Sequence, residues 1–86
     1  MKVRFHRNFE KLFVKVPAKV QKRFGERLAV FLADPFDETL RNHPLTGEWA
    51  GFRSINVTGD YRAIYKAVDE NTVLFEAIGT HSKLYT

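Results

Sequence analysis

The spacing of apolar residues changes once along this chain, and the change limits the folds that the chain can adopt. Between residues 9 and 32, apolar side chains recur at intervals of three and four, as they do on one face of a helix. Between residues 52 and 78 they mostly alternate with polar ones, as in half-buried strands. Helical segments followed by consecutive strands predict an α+β domain.

Two helices are predicted in the first part of the chain. Asn8 is a candidate N-cap of the first helix. We expect that helix to end at Val16, because the proline at position 17 disfavours the α conformation of the residue before it. Pro17 then begins the second helix, and Asp34-Pro35 ends it. The two predicted apolar stripes are Phe9, Leu12, Phe13 and Val16, and then Val20, Phe24, Leu28, Phe31 and Leu32.

Four strands are predicted around these helices. Residues 2–6 alternate at the start of the chain, and residues 52–57, 61–68 and 72–78 follow a connector over residues 35–51. The order is therefore β-α-α-β-β-β in a single domain over residues 1–86. We expect two helices packed on one face of a four-stranded, mainly antiparallel sheet.

Cysteine is absent from the sequence. This excludes a disulfide framework, a thiolate metal site and a cysteine nucleophile. Small secreted domains usually depend on disulfides, so a cytoplasmic location is expected. No apolar run approaches the ~20 residues of a membrane-spanning helix, so no membrane partner is expected.

The charge of the chain is unevenly distributed. The net charge is +4, but residues 1–34 hold nine Lys and Arg against three Asp and Glu, a net of +6. Residues 35–86 hold five Lys and Arg against seven Asp and Glu, a net of −2. A basic domain of this size favours nucleic acid or an acidic protein as partner, and the alternative is a solvated helical face.

Two histidines outside the regular elements are candidates for chemistry. His43 lies in the connector, and His81 lies just past the last strand. Most histidines in loops are only polar surface residues, although ordered loops often carry function. Asp60 opens the third strand and suits a turn equally well. In principle His43, Asp60 and His81 could hold a metal, but their spacing does not show that they converge.

Four segments together resemble the RelE/ParE toxin superfamily, and within it the YafQ-type mRNA interferases. They are HPLTG at residues 43–47, GFR at 51–53, GDYRAIY at 59–65 and IGTHSKLY at 78–85. The resemblance covers essentially the whole chain. It implies a type II toxin that enters the ribosomal A site, cuts mRNA and is neutralised by a cognate antitoxin. The toxin alone is then expected to be a monomer, and the complex with antitoxin to be a larger assembly.

The resemblance also implies a set of site residues. It matches a family histidine to His43, an Asp-aromatic pair to Asp60 and Tyr61, a second histidine to His81 and a late aromatic residue to Tyr85. The sequence departs from the YafQ pattern at two positions. Asn56 replaces a histidine of the second family strand, which puts one proton-transfer group in doubt. Arg62 replaces an aliphatic residue and matches an arginine that is important in RelE.

The chemistry of RNA cleavage suits these residues. The 2′-hydroxyl of RNA is the nucleophile, so a protein need only move two protons and stabilise the charged phosphorane. We expect His81 to be the general acid, His43 or Asp60 to be the base, and Arg62 and Arg53 to hold the phosphate. No metal or cofactor is required. The expected catalytic set is His43, Asp60, Arg62, His81 and Tyr85, and the expected substrate-binding set is Arg53, Asn56, Tyr61 and Lys83.

Two other functions remain open on the sequence. A ParE-like toxin would inhibit DNA gyrase by binding, but such toxins lack the histidine set represented here by His43 and His81. The second alternative is a catalytically weak RNA-binding relative, which Asn56 leaves open because it replaces a proton-transfer group.

Because strand residues alternate between faces, we also expect Tyr61 and Arg62 to lie on opposite sides of the sheet.

Overall fold

In a computed structural model that describes residues 1–85, five strands form one mixed sheet in the order β1-β5-β4-β3-β2. The strands are β1 Lys2–Phe5, β2 His43–Pro44, β3 Arg53–Asn56, β4 Tyr61–Asp69 and β5 Thr72–Thr80. The helices are α1 Arg7–Phe13, α2 Ala18–Ala33 and α3 His81–Leu84, with 3-10 turns at Glu38–Leu40 and Gly47–Trp49. The strand β1 is parallel to β5, and the other neighbours are antiparallel.

The predicted α+β class and the β-α-α-β-β-β frame are confirmed, but the strand count is wrong by one. The additional strand, β2, lies inside the predicted connector and pairs with β3. It contains only two residues, His43 and Pro44, and two residues are too few to show an alternating pattern. The short helix α3 was likewise predicted only as a polar tail.

The boundaries of the first helix also differ from the prediction. The N-cap is His6 and not Asn8, because the His6 Nδ1 atom accepts a hydrogen bond from the backbone N–H of Asn8 at 2.9 Å. The helix ends at Phe13 rather than Val16. Its last turn tightens into i→i+3 bonds, including one from the Val16 N–H to the Phe13 carbonyl at 3.3 Å. Gln21 of α2 donates to the same carbonyl.

The core lies between the helices α1 and α2 and one face of the sheet. It is rich in aromatic rings whose centroids lie 5.0–6.0 Å apart. These rings belong to Phe9, Phe24, Phe31, Tyr65 and Phe75. Leu32, predicted to be in the apolar stripe of α2, is 48% exposed, so the stripe is narrower than predicted.

A bulge in β5 decides which of its residues face the helices. Tyr65 pairs with Phe75, but the preceding residue Ile64 pairs with Ala77, so one residue of β5 is extra. The alternation restarts after it, and Ile78 joins the helix-side core. Ala77 and Gly79 therefore lie on the opposite face, where Leu84 of α3 lies over Gly79.

Of the helices that the structure describes, none is both long enough and apolar enough to cross a lipid bilayer.

Candidate active site

A cavity of about 510 Å³ opens on the face of the sheet opposite α1 and α2. Residues from β2, β3, β4 and α3, together with the segments that border β2 and α3, meet there. The lining residues are Arg41, Asn42, His43, Asn56, Arg62, His81 and Tyr85. Five of these seven belong to the set predicted from the sequence.

The backbone before β2 fixes the ring of His43. His43 pairs with Ser54 of β3, and its Nδ1 atom lies 2.8 Å from the backbone carbonyl of Arg41. A carbonyl oxygen only accepts hydrogen bonds, so Nδ1 carries the proton in this contact. The neutral ring then has its lone pair on Nε2, the form in which an imidazole accepts a proton.

Arg62 is held by the turn that joins β3 to β4. It pairs with Asn56 across the two strands. Its Nη1 atom donates to the carbonyls of Thr58, Gly59 and Tyr61 at 3.0, 3.0 and 3.2 Å. Among residues 1–85, Nη1 makes all three contacts, so Nε and Nη2 are candidate donors for an anion in the cavity.

The helix α3 positions His81 and Tyr85. The backbone N–H of His81 donates to the carbonyl of Asp60 at 3.0 Å, and the side chain of Thr80 caps the helix. At the other end, the indole N–H of Trp49 donates to the Leu84 carbonyl at 2.9 Å. The rings of His81 and Tyr85 are in edge contact, with centroids 4.6 Å apart. The helix is thus tied at one end to the turn before β4 and at the other to the 3-10 turn Gly47–Trp49.

The hydroxyl of Tyr85 is buried, and no residue in the described range 1–85 forms a hydrogen bond with it. A buried polar group without a partner costs stability. Because Tyr85 also lines the cavity, its hydroxyl is a candidate donor to a bound molecule.

The sequence did not reveal the two residues that precede His43. Asn42 donates from Nδ2 to the Pro35 carbonyl at 2.8 Å and to the Tyr65 hydroxyl at 2.7 Å. Its Oδ1 atom accepts from Nε of Arg53 at 2.8 Å. Asn42 therefore connects the β2 segment to the buried Tyr65, and the only sequence signal was its position beside His43.

Arg41 is the second residue that was missed. It adopts a left-handed backbone conformation with φ 47°, which is uncommon for a residue with a side chain. Nothing in the sequence marks this position, because glycine or asparagine is the usual choice there. The conformation lets Arg41 contribute both a cation to the cavity and the carbonyl that holds His43.

The other predicted site residues do not line the cavity. Arg53 lies on the helix side, with its guanidinium 5.3 Å from the ring of Phe36. Tyr61 packs partly buried against the helix-side core, which confirms that it and Arg62 lie on opposite faces. Asp60 is exposed in the turn and meets His81 through its backbone, and Lys83 is exposed on α3.

Within residues 1–85, no group of three or more histidine or carboxylate side chains is arranged to hold a metal ion. The hypothetical ligand set His43, Asp60 and His81 therefore does not form.

Comparison with known proteins agrees with this architecture. Residues 1–86 match the family described as "Bacterial toxin of type II toxin-antitoxin system, YafQ". The mRNA interferase toxin YafQ of Escherichia coli strain K12 is 39% identical over 51 residues, which are 59% of this chain and 54% of that protein. The match thus spans about half the length of that curated relative.

Two solved structures share the fold. The crystal structure of YafQ from Escherichia coli strain BL21(DE3) has a TM-score of 0.80 and 24% identity, over 99% of this chain and 98% of that one. YafQ in the Escherichia coli DinJ-YafQ toxin-antitoxin complex has a TM-score of 0.71 and 29% identity, over 99% and 97% of the two chains.

The fold, with α1 and α2 on one face of the sheet and the short α3 on the other, is that of the YafQ and RelE-type bacterial toxins. Within that class, the chain belongs to the YafQ family of type II toxin-antitoxin toxins. The family predicted from the four sequence segments is confirmed.

Proposed function

We propose that this toxin is an endoribonuclease that cuts ribosome-bound mRNA in the cytoplasm and thereby arrests translation. The observation that carries the proposal is the meeting of two imidazoles and a held guanidinium in one cavity, at His43, His81 and Arg62. The name of the Escherichia coli relative, an mRNA interferase, supports it.

The reaction needs two proton transfers at one phosphate. A base takes the proton of the 2′-hydroxyl as the O2′–P bond forms, and an acid protonates the 5′-oxygen as the P–O5′ bond breaks. The products are a 2′,3′-cyclic phosphate and a 5′-hydroxyl, so atoms and charge balance without an added water. The phosphorane carries extra negative charge, which a nearby cation stabilises.

His43 and His81 take the two proton roles in this proposal. The bond from His43 Nδ1–H to the Arg41 carbonyl leaves Nε2 with a lone pair, which suits His43 to the role of base. His81, on the other wall of the cavity, is then the acid. Asp60, the alternative base, has an exposed carboxylate and supports His81 through its carbonyl, so we assign it a positioning role.

The remaining cavity residues bind the strand. Arg62 and Arg41 hold the scissile phosphate, and Tyr85 stacks on a base or donates its buried hydroxyl. Asn56 and Lys83 contact the strand to either side. Arg53 and Tyr61 act from the helix side, Arg53 through Asn42 and Tyr61 through packing.

We further propose that a cognate antitoxin neutralises the toxin, which is a monomer when alone. The relatives support this, because Escherichia coli YafQ is found in a complex with DinJ. The basic first part of the chain suits an acidic partner segment that folds on binding.

The test is an in vitro translation reaction with purified toxin, a defined mRNA, and a parallel sample of the same mRNA without ribosomes. We expect cuts within the translated region of the ribosome-bound mRNA, and none with the His43→Ala/His81→Ala variant. A DNA gyrase assay runs alongside. Intact mRNA with inhibited supercoiling would overturn the proposal in favour of a gyrase inhibitor, and intact mRNA on stalled ribosomes would indicate an RNA-binding relative.

A further inference from the structure

A second groove lies next to the active-site cavity and shares one residue, Asn56, with it. It has a volume of about 360 Å³ and runs between α2 and the turn that joins β3 to β4. Its lining residues are Lys19, Arg23, Arg27, Thr39, Asn56, Val57, Thr58 and Gly59. We call it the α2 groove.

Three cations form one wall of the α2 groove. Lys19, Arg23 and Arg27 are four residues apart in sequence, so they follow one another along the same side of α2. At a rise of about 1.5 Å per residue, this row is about 12 Å long. A row of that length can contact more than one phosphate of a single nucleic acid strand.

Two carboxylates moderate this positive charge but do not cancel it. Glu26 lies 3.1 Å from Nε of Arg23, and both side chains are about half exposed, so the pair exchanges readily with another anion. Asp37 lies near Arg27. The Thr39 hydroxyl and backbone N–H, and to a smaller degree Arg27, lower the pKa of the Asp37 carboxyl.

Arg27 offers the α2 groove an unused donor. Its Nε atom is buried and has no hydrogen-bond partner within residues 1–85. A buried donor without a partner is costly, and the half-buried Arg27 lines the groove, so its guanidinium is a candidate to bind an anion there.

We propose that the α2 groove binds the sugar-phosphate backbone of the substrate RNA beside the phosphate that is cut. This inference rests on the proposed function. A row of cations attracts phosphates without reading bases, and Asn56 lines both the groove and the cavity, so the two lie side by side. With the groove, the protein contacts the nucleotides at the cut and also the neighbouring nucleotides of the same single strand.

The lining favours RNA over an acidic protein segment. The only aliphatic residue among the lining residues is Val57, and it is fully buried beneath the surface. A protein segment that folds on binding needs exposed apolar anchors. Such anchors lie elsewhere, in a separate apolar groove lined by Phe5, Phe9, Phe13 and Val14.

The test measures the binding of a single-stranded 12-nucleotide RNA whose 2′-hydroxyls are methylated, so that the 2′-oxygen cannot attack the phosphate and cleavage cannot occur. The affinity is followed as the salt concentration rises. Each phosphate contact on a single strand contributes about 0.7 to the slope of log K against log salt. The variant Lys19→Gln/Arg23→Gln/Arg27→Gln should therefore bind more weakly, with a slope reduced by about 2.

The matched control removes three cations outside the groove, in Lys11→Gln/Lys15→Gln/Lys22→Gln. Equal losses in both triple variants would overturn the proposal, because only net charge would then matter. Arg27→Lys keeps the charge and should retain most of the slope. A three-nucleotide RNA that fits the cavity alone should bind both triple variants equally.

Two further arms separate the possible failures. If the groove variant loses affinity for a 12-residue poly-glutamate peptide but binds RNA like the parent, the groove is an acidic-peptide site and the proposal is wrong. If the parent binds RNA through the groove but does not cut ribosome-bound mRNA, the proposed function fails while the groove assignment stands.

Discussion

The imidazole of His81 is exposed, and among residues 1–85 its position is set by the His81 backbone and by contact with the Tyr85 ring. His81→Ala should therefore leave the fold intact while removing the proposed acid. General acid catalysis is typically worth roughly 10²–10⁴-fold, so we expect a loss of that size. The measurement is single-turnover cleavage of ribosome-bound mRNA from about pH 5 to about pH 9, where one limb of the profile should disappear.

Arg62→Ala is the comparison for His81→Ala. It removes charge stabilisation without removing a proposed proton donor or acceptor, so it should slow cleavage and keep the shape of the pH profile. If His81→Ala instead cleaves at the parental rate with the parental pH profile, His81 has no part in proton transfer.

Asn56 sits where the YafQ pattern has a histidine, at the boundary between the cavity and the α2 groove. An amide cannot transfer a proton at neutral pH, so Asn56→His should raise the rate of cleavage near pH 7. The same kinetic assay measures this, with Asn56→Gln as a control that changes size without adding a titratable group. A slower or unchanged Asn56→His variant would mean that the two existing histidines suffice.

Single residues also show where the structure places the predicted site. His43, His81 and Tyr85, which match the YafQ pattern, line one cavity together with Asn56 and Arg62, which depart from it. Arg53 was predicted from the chemistry to hold the phosphate, but it lies on the helix side. The period of two could have predicted this, since positions 53 and 56 on one strand face opposite sides.

Among the elements, β2 has only two residues, and hydrogen bonds of the Asn42 side chain hold it in place. Asn42 joins the segment before β2 to Pro35, Tyr65 and Arg53, and loss of these bonds leaves polar partners unpaired. Asn42→Ala should cost about 1–3 kcal/mol in the free energy of unfolding. It should also reduce the cleavage rate and alter the limb of the pH profile that depends on His43.

Tyr65→Phe is the matched control, because it removes one of these partners and keeps the buried ring. Thermal unfolding and the pH profile are measured for both variants. Parental kinetics in a destabilised Asn42→Ala variant would show that Asn42 is structural only.

Periodicity predicted the longer elements, and it also predicted the four-residue strands β1 and β3, because the alternation continues into the residues beside them. The helix α2 has sixteen residues, and β4 and β5 have nine each. The elements that were missed, β2 and α3, have two and four residues, and their positions depend on partners distant in sequence. The bulge in β5 could not be predicted either, because it depends on how β4 pairs with β5.

At the scale of the whole molecule, the charge asymmetry predicts how an acidic antitoxin would associate. The net charge of +6 over residues 1–34 should steer such a partner, so association should slow as salt rises. Stopped-flow mixing with the antitoxin at increasing salt measures this. Dissociation should change less, since apolar contacts would dominate it. An association rate independent of salt would contradict the electrostatic part of the proposal.

The parallel pairing of β1 with β5 has a consequence for the order of folding. It joins Lys2 to Thr72 across seventy positions, whereas the pairings among β3, β4 and β5 are between neighbours in the chain. Closing so long a loop is entropically costly, so β1 should dock after the other strands have assembled. In native-state hydrogen exchange, the amides of β1 should open in a separate step with a lower opening free energy than those of β4. That opening would expose the aromatic rings that Phe5 covers. Amides of β1 and β4 exchanging in one concerted step would show instead that the sheet closes as a single cooperative unit.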